Sequence, residues 1–182
     1  MDLPLGCWKG IRMVSGHDPL DVLRAAYPDV DATAPTQWLA ELGTVVEAMP
    51  YHWLYWPPLL ETHGAVFVDL NGYGQAELER VVGEAVSRGA PGRSRAAWAD
   101  FVNGFNYFEI PYLFTRWPGP LGASEEAELA LVRLLSEPWE SKLHTRYPDR
   151  RFQVGVAPPD PSLGVCVEVR QVAPRLEPPA GW

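Results

Sequence analysis

Large apolar residues recur along this chain at two spacings, three-and-four and two, and each change of spacing marks a change of element. In DPLDVLRAAY (18–27), Asp18 as N-cap and Pro19 at the first helical position open a short helix, which Pro28 closes. PTQWLAELGTVVEAM (35–49) sets Trp38, Leu39, Leu42, Val45, Val46 and Met49 three and four apart, predicting one amphipathic helix. Gly43 weakens that helix by about 1 kcal/mol relative to alanine.

YHWLYWPP (51–58) follows with period two. Read as a strand, it sends Tyr51, Trp53 and Tyr55 to one face and His52, Leu54 and Trp56 to the other, so it should be covered on both sides until Pro57 and Pro58 end it. LLETHGAVFVDL (59–70) has the form of a β-hairpin. A three-residue loop, Thr62-His63-Gly64, would pair Glu61 with Ala65 and Leu60 with Val66, keeping Leu60, Val66, Val68 and Leu70 on one face.

The second half is more regular. Leu78, Val81, Val82, Ala85 and Val86 form a helical stripe with Gly89 at its C-cap. Ser94 caps a short helix through Trp98, Phe101 and Val102; FNYFEI (105–110) reads as a strand and RWPGPLGA (116–123) as a long turn. Ser124 caps EEAELALVRLL, whose early glutamates suit the helix dipole, and Pro138 should break or kink that helix before WESKLHTRY resumes it. RFQVGV (151–156) and GVCVEVRQV (164–172) alternate cleanly and form an antiparallel pair joined by APPDPSL. The expectation is an α+β domain over residues 1–172, an antiparallel or mixed sheet of about five strands with helices mainly on one face, and a proline-rich tail at 173–182.

Composition narrows the function classes. A net charge of −8 disfavours nucleic acid or an anionic membrane as partner. Lys9 and Lys142 are the two lysines, which leaves little for Schiff-base chemistry. No signal peptide and no membrane-length apolar run is evident, and Cys7 and Cys166 read as free thiols, all pointing to the cytoplasm.

Candidate chemistry is sparse. NGYG (71–74), leading from strand to helix, hints at a phosphate cradle. Glu77, however, stands where a dinucleotide fingerprint wants its third glycine, so the glycines read as turn formers. His17, His52, His63 and His144 show no metal-ligand spacing, and no cofactor motif is present. Glu61, His63 and Asp69 would supply acid–base groups if the hairpin's polar face lined a pocket, and Glu109 stands alone in the apolar run FNYFEIPYLF. Tyr51, Trp53, Tyr55 and Trp56 admit three roles: core packing, a stacking platform for flat ligands, or anchors for a protein. The favoured reading is a cytoplasmic interaction protein of the immunity, antitoxin or adaptor kind, binding a basic protein through those aromatics. The alternative is a small-molecule enzyme or binding protein built on Glu61, His63, Asp69 and Glu109.

Overall fold

The computed structural model describes residues 19–88, 94–114 and 124–182. In chain order the elements are α1 (Pro19–Ala26), α2 (Pro35–Leu42), α3 (Val45–Ala48), α4 (Tyr51–Tyr55), β1 (Leu59–Thr62), β2 (Ala65–Val68), α5 (Gly74–Ser87), α6 (Arg95–Phe105), β3 (Tyr107–Glu109), α7 (Ile110–Leu113), α8 (Glu125–Arg146), β4 (Arg151–Val156) and β5 (Cys166–Ala173). The fold is α+β, with five strands divided between two antiparallel sheets: the hairpin β1-β2 and a three-stranded sheet in the order β3-β5-β4. Gly89 and the turn at 116–123 lie outside the described residues, as does Cys7.

β2 is the wall between two cores. Its residues are too apolar to leave either face wet, and all four are buried. Val66 and Val68 face a core made with Val132, Leu135, Trp139 and Leu143 of α8 and Val154, Val167 and Val169 of the larger sheet. Ala65 and Phe67 face the other, made with Leu78 and Val82 of α5 and Trp98 and Val102 of α6. Removing a side chain such as Phe67 from water contributes about 1.5–3 kcal/mol.

The hairpin turns more tightly than its pattern predicts. Leu60 pairs with Phe67 and Thr62 with Ala65, leaving a two-residue turn in which His63 and Gly64 adopt φ of 48° and 72°. Both residues are left-handed, as a type I′ turn requires. The three-residue loop would segregate the faces; with both faces of β2 buried, that segregation is not required.

The larger sheet closes through one side chain. In the observed register the outward backbone groups of β2 belong to Val66 and Val68. Asn106, buried just before β3, accepts from Val68 N at 2.8 Å through Oδ1 and donates from Nδ2 to Val66 O at 2.8 Å. Its own carbonyl accepts from Val169 N of β5 at 3.0 Å. The asparagine therefore stands in for a strand at this edge. Other strands are covered as well: Gln75 donates to Glu61 O on β1 at 3.0 Å, and Glu140 of α8 accepts from Val154 N on β4 at 3.4 Å.

Three further expectations are corrected. The helix over 35–49 divides at Gly43, whose extended φ and ψ of −148° and 161° end α2 and let Thr44 cap α3. The strand at 105–110 shrinks to Tyr107–Glu109 because Phe105 completes α6 and Ile110 opens α7. Pro138 does not break α8, which runs as a single 22-residue helix. The proline frees only the carbonyl of Leu134, and that residue lies on the exposed side of the helix, where water can bind it. The stripe Glu128, Val132, Leu135, Trp139 and Leu143 stays continuous beneath it.

Candidate interaction surface

The aromatic stretch is a helix, not a core strand. Pro50, with φ of −60°, sets the helical conformation at its start, and the preceding turn is organised by a capping box. In that box Thr44 N donates to Glu47 Oε2 at 3.0 Å and Glu47 N to Thr44 Oγ1 at 3.3 Å. With 3.6 residues per turn, Leu54 points inward at 9% exposure while Tyr51, Trp53, Tyr55 and Trp56 stay exposed.

α8 fastens this helix. Trp139 Nε1 donates to the Leu54 carbonyl at 2.7 Å, and Lys142 Nζ donates to the Trp56 carbonyl at 3.0 Å while lying 5.2 Å from the centre of the Trp56 ring. Carbonyls at the helix C-terminus have no partner within the helix, and these two donors supply one each. Burial lowers the pKa of Lys142. Burial, with Tyr51 alongside, raises that of Tyr55.

Exposed apolar area continues back through the two preceding helices. Among the described residues, nine of the fifteen large exposed apolar side chains fall within positions 39–56: Leu39, Leu42, Val45, Val46, Met49, Tyr51, Trp53, Tyr55 and Trp56. Val45 is 78% exposed and Trp53 59%. Scattered surface apolar residues need no explanation, but a run of them on consecutive helices is what an interaction surface looks like. Its charge is one-sided. No lysine or arginine occurs between Arg24 and Arg80, whereas Glu41 and Glu47 are exposed on α2 and α3 themselves. Lys142 approaches from α8, engaged with Trp56.

The four acid–base candidates are dispersed, and each has a contact in the fold. Asp69 is buried, and its carboxylate accepts from Tyr73 N at 2.8 Å and Gly74 N at 2.9 Å, occupying the helix N-terminus where a phosphate would sit. Gly72 and Gly74 have φ of 71°, as expected of turn-forming glycines. Glu61 pairs with Arg150. His63 lies in the hairpin turn, edge-on to Trp98 with 6.5 Å between ring centres. Glu109 belongs to the other sheet, where its Oε1 accepts from Gly164 N at 2.8 Å. The structure thus brings Glu61 and His63 onto one hairpin, places Asp69 at the end of that hairpin with its carboxylate turned to the start of α5, and sets Glu109 in the other sheet.

An open hollow of about 420 Å³ lies between α6 and the β4–β5 loop, lined by Asp100, Tyr107, Asp160, Glu168 and Arg170 among others. Tyr107 is held protonated there, its pKa pushed up to about 12, chiefly by its hydrogen bond with Cys166. Among the described residues no cluster of three or more His, Cys, Asp or Glu could hold a metal ion, and no helix is long and apolar enough to cross a membrane.

No family model, curated protein or solved structure matches this chain. The sequence singles out the four aromatics but sets Leu39, Leu42, Val45, Val46 and Met49 on the apolar stripe of one amphipathic helix. The missed signals were Pro50 and the Thr-x-x-Glu box at 44–47, both marks of a helix start.

Proposed function

We propose that this is a cytoplasmic interaction protein that docks one protein partner on the exposed arm formed by α2, α3 and α4. The observation that carries the reading is the run of nine exposed apolar side chains at 39–56, held on a frame whose own cores are already filled. Trp and Tyr anchors of this kind dominate binding energy where they enter a partner's pockets. Glu41 and Glu47, with the net charge of −8, favour a partner that surrounds an apolar groove with lysine and arginine. An immunity protein, antitoxin or adaptor would carry such a surface.

The test compares capture by tagged wild-type chain with capture by chains bearing Val45→Asp or Trp53→Ala, from lysate of the native cell. A stoichiometric basic protein, held by the wild type, weakened by salt and lost from both variants, supports the proposal. Equal capture by variants that retain the wild-type circular dichroism spectrum overturns it.

A further inference from the structure

The last ten residues are seated in a groove, and their anchors follow a simple rule. β5 ends at Ala173, after which the chain continues without helix or strand. Leu176, Pro179 and Trp182 are buried, three apart, while Glu177, Ala180 and Gly181 between them are exposed. From Pro179 the chain turns: Trp182 N donates to Pro179 O at 3.1 Å, with Gly181 at φ of 87°, a conformation glycine accepts without strain. That turn drives the Trp182 indole inward, edge-on to Trp98 at 4.9 Å and Phe101 at 5.5 Å between ring centres. Leu176 joins the same core, and Glu177 pairs with Arg95 at 2.6 Å on the rim.

Trp98 and Phe101 of α6 and Val86 of α5 thus form an apolar cleft that accepts a Leu-x-x-Pro-x-x-Trp segment. We propose that this cleft is an exchangeable docking site, able to take residues 174–182 of a second copy in place of its own. Three features carry the inference. The segment lies beyond the last strand, so its release leaves every described strand pairing intact. Its hold on the body rests on the buried side chains Leu176, Pro179 and Trp182, which an incoming segment of the same sequence supplies residue for residue. A vacated cleft would expose Trp98, which is fully buried, so the groove favours being refilled. Because the two segments are identical, the second copy matches the cleft without any further requirement. The inference does not depend on the α2–α4 arm.

The test uses a fluorescein-labelled peptide of sequence PRLEPPAGW and the full-length chain carrying Trp182→Ala. The expected result is saturable binding by fluorescence anisotropy. Binding should weaken about tenfold or more with the wild-type chain, whose own tail competes at high effective concentration, and with a peptide lacking the tryptophan. A folded Trp182→Ala chain that gives no saturable signal overturns the proposal. If that chain does not fold, light scattering on concentrated wild-type protein decides instead. Dimers that excess peptide dissolves support exchange, and a monomer at every concentration overturns it.

Discussion

Residues 39–56 and residues 65–69 are about equally rich in apolar side chains, yet the structure treats them oppositely. Ala65, Val66, Phe67, Val68 and Asp69 are all buried, because β2 lies between α8 on one side and α5 and α6 on the other. Leu39, Val45, Val46, Met49 and Trp53 are exposed, because α2 turns only Trp38 inward, α3 buries none of its residues and α4 turns a single residue, Leu54, to the body. Hydrophobicity measures what burial would gain; position in the fold decides whether the gain is taken. Where it is not taken, the surface remains available to a partner.

The comparison breaks most visibly at Asn106. Replacing it with alanine leaves the N–H of Val68 and the C=O of Val66 buried without partners, and each such loss costs about 1–3 kcal/mol. A fall of about 2–5 kcal/mol in urea-unfolding stability is expected. A change below about 0.5 kcal/mol, the scale of surface substitutions, would mean that β2 is not held as described.

Trp139→Phe comes next. It removes the donor to the Leu54 carbonyl and some core volume, with an expected cost of about 1–3 kcal/mol. It should also loosen α4, seen as a larger rise in amide exchange at residues 51–56 than in β2. Asp69→Ala removes the acceptor for Tyr73 N and Gly74 N at the start of α5, an expected loss of about 1–2 kcal/mol by thermal denaturation.

Trp53→Ala should have the smallest effect on folding, within about 0.5 kcal/mol, because the side chain is 59% exposed. Its effect should appear in binding: a loss of about 2 kcal/mol, roughly 30-fold in Kd, by titration against the captured partner. A large loss of stability with unchanged affinity would return Trp53 to the core.

Much of the fold was legible in the sequence, and the parts that were not share a cause. The stripes of α5, α6 and α8, the serine caps at 94 and 124, and the alternation in β4 and β5 are local signals, satisfied within one element and its neighbour. The aromatic stretch failed because period two and a one-turn helix place the same five side chains differently, and the signals that distinguish them, Pro50 and the Thr44–Glu47 box, lie before it. The hairpin register failed because the expectation kept the faces of β2 apart, whereas its run of apolar residues is covered by helices on both sides. The same holds for Asn106: one asparagine in an apolar run is a visible oddity, but its partners lie 38 and 40 residues away. The candidate surface was half legible. Its aromatics stood out by composition, whereas its aliphatic part at 39–49 has the spacing of a core-facing helix and is exposed for want of a covering layer.

The most direct test of the central claim is oxidative footprinting of the chain free and bound to its captured partner, read by mass spectrometry. Met49, Tyr51 and Trp53 should label readily in the free protein and be protected in the complex, with Tyr112 on α7, also exposed, unchanged in both. Equal labelling of Met49, Tyr51 and Trp53 in both states, with protection elsewhere, would contradict the assignment of the α2–α4 arm as the docking surface.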